Sequence, residues 1–283
     1  MKIDFNNFKK PYLIAEIGIN HNGDLQVAKR LIDAAFACQW DCVKFQKREP
    51  DICVPEEQKN VMKDTPWGQM TYLEYKKRVE FGKEDYDYID KYCKEKPVSW
   101  TASVWDMPSL DFILKYDVPF IKVPSAKITD QPLMEAVVKS GKPILLSTGM
   151  STLEEIDRAV DMLKNSNANF ALMHCNSAYP APHPELNLNC IKTLRERYNC
   201  PVGYSGHEQD LEPSVYAVVL GVKIIERHIT MDHNMWGTDQ LASLEVVAMD
   251  RLKKRIFDID EVLGNGEKIV TKSEEPIRKK LRG

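Results

Sequence analysis

The sequence contains no apolar stretch approaching the length of a membrane span. Its opening residues, Met1-Lys-Ile-Asp-Phe-Asn-Asn7, lack the apolar core of a secretion signal. Neither charge is in excess: 39 Lys and Arg stand against 42 Asp and Glu, for a net charge of −3. That balance gives no reason to expect a nucleic acid or an anionic membrane as partner. There is no Cys-x-x-Cys pair. The seven cysteines (Cys38, Cys42, Cys53, Cys93, Cys175, Cys190 and Cys200) are odd in number, which predicts reduced, mostly buried thiols in a cytoplasmic protein. No Gly-x-Gly-x-x-Gly turn occurs, which argues against an open, doubly wound nucleotide-binding sheet.

What is present is a repeating unit. Apolar runs with strand character occur at Tyr12 to Glu16, Cys42 to Phe45, Val98 to Ala102, Phe120 to Val123, Pro143 to Ser147, Phe170 to His174, Val202 to Ser205 and Lys223 to His228. Helical patterns follow most of them. Leu25, Ala28, Leu31, Ile32 and Ala35 share one helical face, as do Leu153, Ile156, Ala159, Val160 and Leu163. Ser151 or Thr152 with Glu154 or Glu155 predicts the start of the second helix. Eight strand–helix units in about 260 residues match a (β/α)8 TIM barrel. The 43% hydrophobic content is enough to fill the barrel and its helical shell. We therefore expect a single domain over 1–283. It carries a long βα insertion over 48–83, either a substrate lid or a packing elaboration, and a charged, solvated extension over 264–283.

His207 and His228 are the most informative residues. Each closes an apolar run, in Val202-Gly-Tyr-Ser-Gly-His207 and Lys223-Ile-Ile-Glu-Arg-His228, with a helical stretch between them. In a parallel barrel the C-terminal strand ends converge on one face, so two imidazoles meet there and could hold a divalent metal. His183 and His233 fall in polar loops.

The other strand ends are polar as well. Glu16 ends the first, Lys44 and Gln46 the second, Lys122 and Ser125 the fourth, Ser147 the fifth, and Asn176, Ser177 and Tyr179 follow the sixth. Charges inside barrel strands lose hydration and need partners. Two lysines, several hydroxyls and glycine-flanked amides on one face predict a polyanionic ligand carrying phosphate and carboxylate. A lysine paired structurally with Glu16 or Glu226 is the alternative for either one.

These residues carry a family resemblance. Glu16-Ile-Gly-Ile-Asn-His-Asn-Gly23, Val43-Lys44-Phe-Gln46, Lys122-Val-Pro-Ser125, Ser147-Thr-Gly-Met150, His174-Cys-x-Ser-x-Tyr-Pro180, Tyr204-Ser-Gly-His207 and Glu226-Arg-His228 occur in an order that resembles the barrel domain of the sialic acid (N-acetylneuraminate) synthases. The resemblance implies condensation of phosphoenolpyruvate with a sugar aldehyde to give a 2-keto-3-deoxy sugar acid. It implies that Lys44, Lys122, Ser125, Ser147, Ser177 and Ser205 bind phosphoenolpyruvate and that Glu16 acts at the reaction centre. It also implies that Tyr179 and Asp239 contact the sugar. By the same resemblance His207 and His228 ligate a divalent metal, Mn2+ with Mg2+ or Co2+ as substitutes, in a homodimer.

Two departures from the family pattern shape the substrate expectation. Lys127 stands where relatives carry an acidic residue, which favours a more anionic sugar unless it pairs with Asp130 or Glu226. The sequence ends where relatives continue into a small antifreeze-like domain, which leads us to expect weaker dependence on an N-acyl group or a separately encoded antifreeze-like partner. Three alternatives stay open: a synthase of a non-acylated, Kdn- or Kdo-like acid, a metal-dependent sugar-phosphate lyase, and a non-catalytic binding barrel.

Overall fold

Each of the eight apolar runs forms a parallel strand in the computed structural model, which describes residues 3–283. The strands are β1 (Tyr12–Gly18), β2 (Cys42–Lys47), β3 (Ser99–Val104), β4 (Ile121–Val123), β5 (Ile144–Ser147), β6 (Phe170–His174), β7 (Val202–Gly206) and β8 (Ile224–Thr230). They pair in chain order, and β8 returns to β1 with Tyr12 opposite Ile224 and Glu16 opposite His228. The sheet thus closes into a (β/α)8 barrel, and no strand of the ring is left as an unpaired edge.

The helices between the strands are α1 (Leu25–Ala37), α2 (Lys83–Glu95), α3 (Met107–Ile113), α4 (Gln131–Lys139), α5 (Leu153–Asn165), α6 (Cys190–Tyr198), α7 (Glu212–Val219) and α8 (Val246–Leu263). Their starts follow local chemistry. Asp24 caps α1 by accepting from the Gln26 amide at 2.7 Å, and Thr152 with Glu155 forms the capping box of α5. The inward faces bury Ala28, Leu31, Ile32 and Ala35 from α1, and Ile156, Ala159, Val160 and Leu163 from α5. Each large aliphatic side chain buried this way contributes roughly 1.5–3 kcal/mol.

The two-residue period of the strands sorts the barrel interior into layers. Outward positions Leu13, Ala15 and Ile17 pack under the helices. Inward positions Ile14, Cys42, Phe120, Leu145, Met173 and Ile224 form an apolar plug. One step of two residues higher on the same strands stand Glu16, Lys44, Lys122, Ser147, Cys175 and Glu226. The plug closes the barrel floor, and the polar layer is its ceiling. Gly203 is required there: a Cβ would collide with Met173 Sδ and come within 2.8 Å of the Ile224 carbonyl oxygen.

The insertion over 48–83 carries an antiparallel hairpin, Met62–Thr65 with Gly68–Thr71, and a helix, Tyr72–Val79, started by a Thr71–Glu74 capping box. Trp67, at the hairpin tip, meets Trp236 edge-on at 5.7 Å, and Tyr75 meets the same ring at 4.9 Å. Asn22 holds the Trp236 carbonyl at 2.8 Å. The insertion is therefore seated on the loop after β8, at the C-terminal face of the barrel. The 264–283 segment is exposed throughout and includes a helix, Glu274–Arg282. All seven cysteines are free. No helix of the described residues is long and apolar enough to cross a membrane.

Candidate active site

The polar layer is a closed network of opposite charges. Lys44 Nζ lies 2.7 Å from Glu16 Oε2 and 3.5 Å from Glu226 Oε1, and Lys122 Nζ lies 2.8 Å from Glu226 Oε2. Ser205 donates to Glu226 Oε1 at 3.2 Å, and Gln46 donates to Glu16 Oε1 at 3.2 Å. All four charged side chains are buried. Register explains the meeting: Glu16 is opposite Lys44 across β1–β2 and opposite His228 across β1–β8.

Burial and pairing divide the two carboxylates. Burial raises the pKa of Glu16, with Glu226 adding to the rise and Lys44 opposing it. Burial also opposes ionisation of Glu226, but Lys122 and Lys44 outweigh it and its pKa falls. At Lys122, burial outweighs the attraction of Glu226 and lowers the pKa. At Lys44, the two carboxylates outweigh burial and raise it. Glu226 is thus a fixed counter-anion and Glu16 a carboxyl able to exchange a proton near neutrality.

His207 and His228 stand side by side, their ring centres 5.5 Å apart. The Asn176 carbonyl accepts from His207 Nδ1, which leaves the Nε2 lone pair to accept from Tyr179 Oη at 3.0 Å. Nδ1 of His228 is buried without a hydrogen-bond partner, 3.8 Å from Asp239 Oδ2. Burial pushes both imidazoles down to about 3, so both are neutral at physiological pH. Neutral imidazoles offer ring lone pairs to a metal: His207 is anchored through Nδ1 with its Nε2 lone pair turned to Tyr179 Oη, and His228 holds an unpartnered Nδ1, so the pair fits a divalent ion. Among the described residues, no group of three or more His, Cys, Asp and Glu side chains is arranged to enclose an ion without further ligands. A site of two protein nitrogens leaves coordination positions for water and substrate.

On the opposite wall, Ser125 Oγ accepts from the Gly149 amide at 3.0 Å and lies 3.3 Å from Cys175 Sγ. A Cβ at Gly149 would collide with Ser177 Oγ and come within 2.9 Å of Ser125 Oγ. Glycine here keeps open a small polar cradle of hydroxyls and amide, the kind of concavity that receives phosphate oxygens. Ser147 lines the same cavity.

Ten of the eleven residues singled out in the sequence (Glu16, Lys44, Lys122, Ser125, Ser147, Ser177, Tyr179, Ser205, His207 and His228) line this one cavity. Asp239 stands just outside, beside His228. The Tyr179–Pro180 peptide is cis. Lys127 does not line the cavity. It stands at the end of the 3-10 turn Ser125–Lys127 and pairs with Asp130, three residues along the chain, at 3.1 Å. The expectation that Lys127 favours an anionic sugar therefore gives way to its alternative, a local ion pair.

Sequence reasoning treated Glu226 only as a partner for lysine. In the structure it holds both lysines and Ser205. Its inward position two residues before His228 is the signal that could have found it. Ser103 and Trp105 also line the cavity and were not singled out, and Gln46, named only as a strand-end polar group, was given no role in the site.

The profile of the NeuB family matches residues 31–268. Human N-acetylneuraminate-9-phosphate synthase is 36% identical over 273 residues, spanning 95% of this chain and 76% of that protein. The N,N'-diacetyllegionaminic acid synthase of Legionella pneumophila is 36% identical over 278 residues, spanning 96% and 78%. Among solved structures, the sialic acid synthetase of Leptospira borgpetersenii, in complex with citrate, superposes with a TM-score of 0.84 at 31% identity, spanning 98% of this chain and 94% of that one.

Proposed function

The chain belongs to the NeuB family, and from that premise we propose how its residues divide the work of a phosphoenolpyruvate-dependent sugar acid synthase. The enzyme is a transferase that condenses phosphoenolpyruvate with a sugar to form a sialic acid or a related nonulosonate. The observation that carries the assignment of roles is the convergence of Lys44, Lys122, the Ser125–Gly149–Ser177 cradle and the two histidines on one cavity.

Lys44 and Lys122 neutralise the carboxylate and phosphate of phosphoenolpyruvate and orient its enol carbon. Glu226 holds the lysines in place before substrate arrives and keeps them charged in a dry site. Ser125, Ser147, Ser177 and Ser205 supply hydrogen bonds around the phosphate and carboxylate. A divalent ion, Mn2+ in our reading, held by His207 and His228 would polarise the aldehyde oxygen. Tyr179 and Asp239, beside the two histidines, position the sugar hydroxyls, and the 48–83 insertion acts as a lid.

In the reaction, C3 of phosphoenolpyruvate forms a bond to the aldehyde carbon while the carbonyl π pair moves to the aldehyde oxygen, and C2 becomes cationic. Water adds at C2, and one of its protons ends on the former aldehyde oxygen; the hemiketal phosphate then breaks its C–O bond, the C2 hydroxyl losing its proton to the departing phosphate as the ketone forms. Glu16 accepts the proton of that water, a task suited to a buried carboxyl whose pKa is raised. A cytoplasmic setting and a homodimeric state belong to the same proposal, and the seven free thiols support the former. The test is phosphate release with phosphoenolpyruvate, manganese and a panel of aldoses that includes N-acetylmannosamine, mannose and arabinose 5-phosphate. We expect release only when both an accepted sugar and phosphoenolpyruvate are present. Release without sugar, or none with any aldose, would contradict the reading.

A further inference from the structure

Beyond the reaction centre, the barrel mouth holds two cations that the mechanism does not use. Arg48 follows β2, and its guanidinium stacks 3.8 Å from the ring centre of Trp105, a wall of the active-site cavity. Its Nη2 donates to Gln46 Oε1, while Nε is buried with no hydrogen-bond partner. Lys76 comes from the insertion helix, and it lines the same small cavity as Arg48, between the end of β1 and the insertion. Among the described residues neither cation makes an ion pair. The nearest acid of that cavity, Glu80, is already taken by Lys47 Nζ at 2.6 Å and by the Arg48 backbone amide at 3.1 Å. Burial, and then the like charge of Arg48, push the Lys76 pKa down to about 8. Two unneutralised cations facing one cavity raise the free energy of the empty site, and an anion bound between them lowers it.

The location indicates which anion. Phosphoenolpyruvate has its own lysines and cradle on the β2, β4, β5 and β6 walls. An acceptor whose aldehyde meets the enol carbon beside Glu16 and the histidines extends its far end outward, past Asp239 and under the insertion. Arg48 stands there, linked to Glu16 at the reaction centre by two hydrogen bonds through Gln46. We propose that Arg48 and Lys76 form a subsite for a terminal phosphate on the acceptor sugar, so that the enzyme prefers a phosphorylated aldose over its unphosphorylated counterpart. The inference rests on the synthase reading for the sugar's orientation. It transfers the preference for an anionic sugar from Lys127, which is paired, to two cations that are not.

The test compares kcat/KM for N-acetylmannosamine with its 6-phosphate, and for arabinose with its 5-phosphate, in wild type, Lys76→Met and Arg48→Gln. Charge-assisted hydrogen bonds of the usual strength predict a preference of about tenfold to a hundredfold for the phosphorylated partner in wild type. The ratio of the two substrates should collapse toward one in the variants. Because each ratio is taken within one variant, any general loss of activity cancels. An unchanged ratio, or no preference in wild type, overturns the proposal. So does a rise in the KM for phosphoenolpyruvate at constant ratio, which would assign the cations to that substrate instead. Calorimetric titration of wild type and Lys76→Met with arabinose 5-phosphate and with arabinose, without phosphoenolpyruvate, decides the subsite independently of turnover. If no aldose reacts, the synthase reading fails. The subsite then stands if the phosphate ester binds wild type more tightly than Lys76→Met, and falls if it does not.

Discussion

Glu208 and Arg227 form an ion pair at 3.0 Å with both side chains fully buried, and they are the chain neighbours of His207 and His228. Tyr204 donates to the other oxygen of Glu208 at 2.7 Å, and Arg227 also reaches Ser214 Oγ and the Asp210 carbonyl. The pair lies on the outer side of the barrel wall, opposite the imidazoles, and ties β8 to the segment after β7. It thereby fixes the spacing of the histidines from behind.

Removing one partner leaves an uncompensated buried charge, which typically costs about 3–5 kcal/mol. Arg227→Met should therefore lower stability by about that amount in denaturant titration of the metal-free protein. A loss below about 1 kcal/mol, the usual value of an exposed pair, would contradict the assignment.

His207→Ala and His228→Ala each remove one of two protein ligands from the proposed metal site. Calorimetric titration with Mn2+ should show binding to wild type and loss of it in both variants, with activity falling by orders of magnitude. Full activity in a chelator-treated sample would contradict a metal role.

Lys122→Met keeps the apolar stem but removes the charge, leaving Glu226 with Lys44 alone. The loss should fall mainly on phosphoenolpyruvate, with kcat/KM for that substrate down by about tenfold to a hundredfold, as expected when a charge-assisted contact of about 1.5–3 kcal/mol is lost. Steady-state kinetics with the sugar saturating would measure it, and an unchanged phosphoenolpyruvate dependence would rule the assignment out.

His21 is buried in a stack on Phe81, ring centres 3.9 Å apart, and accepts from the Gly23 amide at 3.0 Å. Burial pushes it down to about 3. The unfolded chain takes up a proton near pH 6.5 that the folded protein refuses, so stability falls as pH drops from about 6.5 toward 3 and gains nothing above that window. The slope attributable to this group is on the order of 1 kcal/mol per pH unit. Urea titrations at pH 7 and pH 5 should show a smaller drop in His21→Asn than in wild type, and equal drops would refute the assignment.

The barrel was legible because its strands are apolar on both faces and its helices carry regular stripes, so strand runs such as Tyr12 to Glu16 needed no tertiary information. The site was legible for a related reason. Lys44, Lys122 and the two histidines are polar groups in otherwise apolar strands, which has few structural explanations. Glu226 and Arg227 are adjacent, and only the strand's alternation decides that the first faces the lysines and the second the outer wall. Lys127 shows where the reading stops. Its position two residues after Ser125 suggests the site, but at the end of a single 3-10 turn it pairs with Asp130 instead. The subsite cations were beyond sequence reasoning because Arg48 and Lys76 come from opposite ends of the insertion, and their encounter depends on how Trp67 and Tyr75 seat it on Trp236.

The most direct test of the account follows the oxygen that bridges C2 and phosphorus in phosphoenolpyruvate. With a heavy-oxygen label at that position, manganese and an accepted aldose, wild-type enzyme should release phosphate that carries the label, in step with formation of the 2-keto acid. Lys122→Met should release far less. Unlabelled phosphate with the heavy oxygen retained at C2, or label release that does not depend on the sugar, would contradict condensation by C–O cleavage at this site.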